Sequence, residues 1–226
     1  MEVINPKTSA INLLEAFRTT RSATEEICDP LEVEDYVVQP VMHVSPPKWH
    51  LAHSTWFFEQ FILRPHREHY KPYRSKYPYL FNSYYESVGD SVMRAKRGNL
   101  SRPTVEEIYS YREYVDRHME EFLENEPSEQ LQSLVAVGIN HEQQHQELLL
   151  TDIKYIFGHN PLFPQYGSVD DARISDRSMG FIDMEEGVYK IGYEGDGFCY
   201  DNEKPRHKTY LHSYRIADRL VANGEY

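Results

Sequence analysis

The chain contains four long segments in which apolar residues recur every three or four positions, the spacing that aligns side chains on one face of an α-helix. These segments cover about residues 9–28, 46–63, 104–123 and 128–157. Ser45 precedes the second segment as a predicted N-cap, and Thr104 with Glu107 forms a capping box before the third. The pattern predicts a mainly α fold in which four helices form a bundle.

The same periodicity predicts which side of two of these helices faces the core. The inner face of the third helix is predicted to carry Val105, Ile108, Tyr111, Val115, Met119 and Phe122. The inner face of the fourth is predicted to carry Leu134, Val137, His141, His145 and Leu148. The core of the bundle would therefore contain polar rings among apolar side chains.

Beyond residue 165 the pattern changes to short segments separated by glycine-rich turns. The segments 181–184, 187–192 and 208–216 are typical of short β-strands. We therefore divide the chain into a helical domain, residues 1–165, and a linker with β-type segments, residues 166–226. The β-type segments are too short to form a self-sufficient domain, so we expect the chain to be a piece of a longer protein.

Charge and composition exclude several classes of function. The chain has 226 residues and a formal net charge of −12, which argues against a partner such as nucleic acid or an anionic membrane surface. It shows no N-terminal signal pattern and no long uncharged apolar run. Its two cysteines are too few for a disulfide framework, so the reducing cytoplasm is the expected compartment.

Two histidines four residues apart carry the strongest chemical signal. His141 and His145 lie one helical turn apart on the predicted inner face of the fourth helix. A buried imidazole nitrogen without a partner costs roughly 1–3 kcal/mol, whereas a metal ion binds neutral imidazole. Because the reference pKa of histidine is about 6.5, we expect metal binding to weaken below that pH.

A third histidine, His53, lies on the aromatic face of the second helix with Trp49 and Trp56. Three neutral nitrogens from two helices can cap one side of a metal ion and leave other positions open, as in non-haem iron sites. We predict a metal site in the bundle interior formed by His53, His141 and His145.

The fourth helix also matches H-E-x-x-H, in which two histidines bind zinc and the glutamate is the general base of a metalloprotease. The downstream glycine and third histidine of the metzincin pattern are absent. Glu142 lies about 100° from the metal-facing direction. The simpler expectation is therefore that its side chain lies on the surface or behind the metal ligands and not at the metal.

A long basic and aromatic connection, residues 66–102, separates the second and third helices. Connections of this length are usually functional or disordered, and the aromatic content argues against disorder. Arg94 and Arg97 stand out in a chain of negative charge, because guanidinium groups bind carboxylates in a bidentate manner. Solvated surface arginines are the alternative.

Seven motifs together resemble one protein family. In the helical region they are Ser45–His53 (SPPKWHLAH), Asn82–Glu86 (NSYYE), Arg97–Thr104 (RGNLSRPT) and Asn140–Glu147 (NHEQQHQE). In the tail they are Gly187–Gly192 (GVYKIG), Tyr200–His207 (YDNEKPRH) and Val221–Tyr226 (VANGEY). The combination resembles the sulfoxide synthases of ergothioneine biosynthesis (EgtB type).

The resemblance implies a DinB-like four-helix bundle followed by the truncated start of an α+β domain of the C-type-lectin-like, formylglycine-generating-enzyme type. It implies an Fe(II) enzyme that uses O2 to join cysteine or γ-glutamylcysteine to the imidazole of hercynine (trimethylhistidine) and to oxidise the sulfur. By motif position the iron ligands are His53, His141 and His145. Gln144 matches a position that contacts the histidine-derived substrate, and Arg94 and Arg97 resemble a pair that anchors the carboxylates of the thiol.

Two further expectations come from the resemblance. The acid–base tyrosine of the family is expected beyond residue 226, so we expect this chain to bind iron but to show little turnover. His50 matches a position that is not a ligand in some members, and it is left out of the predicted site.

Two other functions remain open from the sequence. DinB-like bundles also serve as zinc- or nickel-dependent thiol transferases without oxidation, and the three histidines would suit that chemistry as well. A structural bundle with buried histidines and no metal is the third possibility. The thiol donor, the choice between ergothioneine-type and ovothiol-type coupling, and the oligomeric state stay open.

Overall fold

The computed structural model describes residues 10–125, 127–167, 177–195 and 197–226. The chain divides into two compact units, Met1–Ser168 and Val169–Tyr226, which we call the helical unit and the strand unit. Residue 9, where the first helix is predicted to begin, and residues 168–176 of the predicted linker lie outside the described residues.

The helical unit contains four long helices, α1 Ala10–Cys28, α2 Pro47–Phe58, α3 Val105–Glu124 and α4 Glu129–His159. The bounds of α1, α3 and α4 agree with the predicted segments to within two residues. Helices α1 and α2 each pack against both α3 and α4, so the four helices enclose one core. The prediction of a mainly α fold is confirmed.

Helix α2 is buried along its whole length and on every side. This agrees with a sequence in which apolar and aromatic residues surround the helix instead of forming one stripe. After Phe58 the chain continues in a π-helical turn, Glu59–Leu63, and one further turn, Arg64–His66. Pro65 has no N–H to donate to the fourth carbonyl before it, so a regular α-helix is not maintained here.

The predicted N-cap of α2 is wrong. Pro46 occupies the cap position, and no side chain caps the helix. The backbone N–H of Ser45 instead donates to a carboxylate oxygen of Asp152 at 2.8 Å, and its hydroxyl accepts from Arg97 at 2.9 Å. Ser45 therefore connects the start of α2 to α4 and to the long connection.

The predicted capping box of α3 is present. The Thr104 hydroxyl accepts the Glu107 N–H at 3.1 Å, and the Glu107 carboxylate accepts the Thr104 N–H at 2.7 Å. Of the predicted inner residues, Ile108, Tyr111, Val115 and Met119 are buried. The next fully buried residue is Leu123 and not Phe122, because the i+4 row through positions 115 and 119 continues to 123.

The predicted inner face of α4 is wrong at two positions. Val137 is 36% exposed and Leu148 is 45% exposed. The buried apolar side instead runs through Val135, Ile139 and Leu149. Because α4 packs on both α1 and α2, its buried arc is wide, and the two histidines lie on one border of that arc.

The connection between α2 and α3 is folded and attached to the bundle. It contains a short helix, Tyr77–Phe81, and 3-10 turns at Glu86–Val88 and Arg94–Asn99. The Asn82 side chain donates to the carbonyls of Tyr85 and Gly89 at 3.1 and 2.8 Å. The buried Lys48 ammonium of α2 donates to the Leu100 carbonyl at 2.6 Å. The Lys48 contact ties the residue directly after the turn that carries Arg97 to α2.

The strand unit contains four short strands, β1 Phe181–Met184, β2 Gly187–Ile191, β3 His207–Leu211 and β4 Tyr214–Ala217. Strand β1 pairs antiparallel with β4, with Phe181 opposite Ala217, and β2 pairs antiparallel with β3, with Gly187 opposite Leu211. The predicted strand 208–216 is therefore two strands, interrupted at residues 212–213.

None of the helices in the described ranges combines the length and the apolar character that a membrane span requires.

Candidate metal centre

Helices α2 and α4 bring three histidine rings together inside the helical unit. The ring centroids of His53 and His141 are 5.1 Å apart, and that of His145 lies 4.6 Å from each. His53 and His141 are buried, and His145 is partly buried. These are the three residues whose spacing predicted a shared site.

The nitrogens of these rings are placed for a common ion. One ring nitrogen of each histidine lies within 4.8 Å of the corresponding nitrogen of the other two. Metal–nitrogen bonds of about 2.1 Å place neighbouring ligand nitrogens about 3.0–3.5 Å apart. Small side-chain rotations are therefore sufficient to bring the three nitrogens onto one ion.

The ring of His53 is held by a backbone acceptor and by stacking. Its Nδ1 donates to the Phe81 carbonyl at 2.6 Å, which leaves Nε2 unprotonated in the neutral ring. Trp49 stacks on one side of the ring at 4.5 Å between centroids, and Trp56 stacks on it at 5.3 Å. The free lone pair of His53 therefore has a fixed direction.

His141 is the ring whose hydrogen-bonding potential is unmet. It stacks on Phe57 at 4.7 Å, and its Nδ1 is buried without a hydrogen-bond partner in the described part of the chain. A buried polar atom of this kind costs roughly 1–3 kcal/mol unless something binds the ring. A metal ion fits this arrangement, because it would bind a ring that lacks hydrogen-bond partners in the folded protein.

All three rings are neutral at physiological pH. Burial lowers the pKa of His141 to about 4 and holds the pKa values of His53 and His145 well below the usual range. Neutral imidazole is the form that binds metal. The expected loss of metal binding below pH 6.5 was based on the pKa of an unperturbed imidazole. Because burial lowers the pKa values of these histidines, protons should compete with the metal only at lower pH in the folded protein.

A family model described as the DinB superfamily matches residues 16–149. The chain belongs to the DinB superfamily. No curated protein matches it. Divalent metal binding is general in the DinB superfamily, and the matched residues include all three histidines.

A cation lies beside the histidine cluster of this DinB-superfamily chain. Arg97 is buried, and its guanidinium carbon is 3.3 Å from the centroid of the Trp49 ring that stacks on His53. Its Nη1 donates to the Ser45 hydroxyl, and its Nε is buried with no hydrogen-bond partner among the described residues. Burial, with a smaller contribution from the charge of Arg94, lowers the pKa of Arg97 to about 9.

Arg97 therefore remains charged at neutral pH, and it has no ion pair with a carboxylate among the residues that the structure describes. A buried guanidinium with an unused N–H is suited to an anionic ligand that brings its own acceptor oxygens. The indole N–H groups of Trp49 and Trp56 are also buried, and neither finds an acceptor in the described part of the chain. This side of the cluster thus has an excess of donors.

The other two residues predicted from the family motif have different surroundings. Arg94 is exposed, and its guanidinium donates to the His43 carbonyl at 2.6 Å. Gln144 is exposed on α4, one position before His145. The structure thus brings Arg97, but not the side chains of Arg94 and Gln144, into the buried part of the site.

Glu142 is not on the surface, contrary to the expectation from its helix position. Its side chain is fully buried, with one oxygen accepting from Arg21 at 2.8 Å and the other from Thr24 at 2.7 Å and Arg112 at 3.3 Å. Burial alone would raise the pKa of Glu142, but the two guanidiniums outweigh it and hold the pKa below the usual value. A carboxylate engaged in this way is not available as the general base of a zinc protease.

His50 was left out of the predicted site, and Asp152 was missed by sequence reasoning. His50 lies 3.0 Å from His145, Nδ1 to Nδ1, and 2.9 Å from Asp152 through its Nε2. The signal for His50 is the second pair of histidines, H-L-A-H in α2, which places His50 about one turn from His53. No local signal indicates Asp152, because its contact with His50 joins positions 102 residues apart.

Proposed function

We propose that this chain is the iron-binding part of a non-haem, O2-using sulfoxide synthase that joins a cysteine-type thiol to the imidazole of hercynine. The observation that carries the proposal is the set of three neutral imidazoles, His53, His141 and His145, beside the buried Arg97 guanidinium, which has no carboxylate partner among the described residues. The family resemblance of the motifs supports the choice of reaction.

The overall reaction balances without a further reductant. The imidazole C–H and the thiol S–H are lost, a C–S bond forms, one oxygen atom of O2 is added to sulfur, and the other leaves as water. When bound, Fe(II) supplies the electrons that activate O2. Because the three ligands are uncharged, the site favours an anionic thiolate and lowers the pKa of a thiol bound there.

The residues around the cluster have separate tasks in this proposal. Arg97 binds the carboxylate of the thiol substrate through its unused N–H, and Arg94, on the same turn, adds a second cation at the surface. Gln144 contacts the histidine-derived substrate. Trp49 stacks on the face of the His53 ring and so restricts the rotation of that ligand.

The strand unit is proposed to be the start of a formylglycine-generating-enzyme-like domain. The motif GVYKIG spans β2 and the glycine that follows it, Gly192. This glycine has φ +105°, and an added Cβ would lie 2.9 Å from the Arg206 Cα, so a glycine is needed here. A specific local structure therefore accompanies the motif that carries the resemblance.

The test separates substrate binding from turnover. In the Co(II)-loaded protein, cysteine or γ-glutamylcysteine should produce a sulfur-to-metal charge-transfer band, and hercynine should alter the cobalt spectrum. The Fe(II)-loaded protein is then given both substrates and ¹⁸O2, and the sulfoxide is sought by mass spectrometry. His145→Ala and the Zn(II)-loaded protein are the matched controls. Failure of any thiol to reach the metal would contradict the proposal.

The alternative proposal is a zinc- or nickel-dependent thiol transferase. Membership of the DinB superfamily and a neutral three-histidine set favour it, because zinc binds such ligands with an open fourth position. Purification without added metal, followed by metal analysis, distinguishes the two. Thiol transfer by the zinc form without O2 consumption would support the transferase.

A further inference from the structure

A chain of three side chains runs from α4 through α2 and back to α4. Asp152 Oδ2 is 2.9 Å from His50 Nε2, and His50 Nδ1 is 3.0 Å from His145 Nδ1. His50 is 3% exposed, and Asp152 is 9% exposed. The same carboxylate oxygen accepts the Ser45 N–H at 2.8 Å, which fixes the far end of the chain.

The donors and acceptors of this chain can be arranged in one consistent way. A carboxylate only accepts, so the proton of neutral His50 lies on Nε2 and points at Asp152. His50 Nδ1 is then an acceptor, and His145 Nδ1 must carry the proton between the two rings. The unprotonated nitrogen of His145 is therefore Nε2.

The three histidines of the cluster differ in how they are held. Nδ1 of His53 donates to a backbone carbonyl, which leaves its Nε2 free. His145 obtains the same tautomer from a side chain, His50, that is itself oriented by a carboxylate. For His141, Nδ1 has no partner among the described residues. A carboxylate–histidine pair behind one histidine makes that ring more basic as well as better oriented.

We propose that His50 and Asp152 are positioning residues of the metal centre, which hold His145 in the tautomer that leaves Nε2 free for an ion. The inference rests on the metal site of the proposed function but not on iron or on sulfoxide chemistry. A purely structural pair would stabilise the fold by joining α2 to α4 and would leave metal affinity unchanged.

Two substitutions of His50 separate these roles. His50→Leu removes both contacts and retains an apolar side chain of similar size. His50→Gln restores them in principle, because one carboxamide can accept from His145 through oxygen and donate to Asp152 through nitrogen. His118→Leu is the matched control, since Nδ1 of His118 donates to the Tyr114 carbonyl on α3 and the residue is not a member of the cluster.

Zn(II) affinity is measured by competition with a chromogenic chelator, and the unfolding of each metal-free variant is measured in parallel. We expect His50→Leu to weaken zinc binding roughly 10–100-fold, His50→Gln to recover most of the loss, and His118→Leu to bind as the unchanged chain does. Equal zinc affinity of His50→Leu and the unchanged chain would overturn the role of His50 and Asp152 but not the metal site. Absence of zinc binding by the unchanged chain would overturn the metal site itself.

A measurement on the unchanged chain keeps the inference testable if His50→Leu does not fold. Long-range ¹H–¹⁵N NMR reports which ring nitrogen of each histidine carries the proton. We expect the proton on Nδ1 of His145 and on Nε2 of His50 in the metal-free protein. The opposite tautomer at His145 would overturn the inference.

Discussion

Helix α4 carries two buried polar clusters on consecutive residues, and they differ in whether their atoms find partners. The Glu142 carboxylate accepts from two guanidiniums and a hydroxyl, so both of its oxygens are satisfied. One position earlier, Nδ1 of His141 is buried with no partner among the described residues. Both side chains are buried, but only the Glu142 cluster has all of its polar atoms hydrogen-bonded within the described part of the chain.

The difference separates a structural role from a binding role. Fully paired buried charges join elements of the fold, here α1 and α3 to α4 through Arg21 and Arg112. Unpaired neutral nitrogens cost stability and are retained where a ligand completes them. Substitution of Glu142 should therefore lower stability, and substitution of His141 should lower metal affinity.

The largest effect on stability is expected from Glu142→Ala. This change removes the fully buried carboxylate that joins two guanidiniums and leaves Arg21 paired with Asp116 and Arg112 with the partly exposed Glu25. Breaking buried ion pairs in this way costs about 3–5 kcal/mol of unfolding free energy. Urea denaturation measures the loss, and the exposed Glu147→Ala on the same helix should change stability by no more than about 0.5 kcal/mol. Zinc affinity of the folded Glu142→Ala protein should stay within a few-fold of the unchanged chain. A loss of stability in Glu142→Ala no larger than that in Glu147→Ala would contradict the structural role of Glu142.

The opposite result is expected for His141→Leu. Zinc affinity should fall by about two to three orders of magnitude, since one of three ligands is lost from a site of the kind worth roughly 10–16 kcal/mol in all. The metal-free protein should keep its stability or gain some, because an unpaired buried nitrogen is removed. Unchanged metal stoichiometry would instead show that these histidines only pack.

Mild acid should destabilise the metal-free protein through its buried histidines. An unfolded histidine takes up a proton near pH 6.5, whereas burial holds the pKa of His141 at about 4. The unfolded state therefore binds more protons between these values, and stability falls as pH falls through this window. The loss from His141 is on the order of 3 kcal/mol over the full window, and about 2 kcal/mol of it should have occurred by pH 5. Unfolding curves at pH 7.5 and 5 measure it, and His141→Leu should show a smaller difference.

The smallest effect is expected on thiol binding. Arg97→Met should weaken binding of γ-glutamylcysteine to the Co(II)-loaded protein by roughly 10-fold, the value of a charge-assisted hydrogen bond. Arg94→Met should have a smaller effect, because Arg94 is exposed and already donates to a carbonyl. Equal effects of the two substitutions would mean that burial does not decide which arginine binds the substrate.

Local sequence signals were sufficient for most of the helical unit. Apolar periodicity predicted the bounds of α1, α3 and α4, and the capping box at Thr104 appears as expected. The i, i+4 pair and a third histidine on an aromatic helix indicated the cluster. These features depend on residues within one helix or on a simple rule for which side is buried.

Features that depend on long-range pairing could not be predicted. Glu142 was expected on the surface or behind the metal ligands because it lies about 100° from the metal-facing direction of the helix. Its burial depends on Arg21 and Arg112, which lie 121 and 30 residues away in sequence. The contact between His50 and His145 likewise joins positions 95 residues apart. Choosing the inner face of α4 from its histidines also failed at Val137 and Leu148, because the rings lie at the border of the buried arc.

The stacked order of Arg97, Trp49, His53 and Trp56 has a practical consequence. Both tryptophans of the chain flank one of the proposed ligands. Intrinsic fluorescence is therefore a label-free reporter of this site: an ion with a partly filled d shell, such as Co(II) or Ni(II), should quench the indole emission, and Zn(II) should shift it with little quenching.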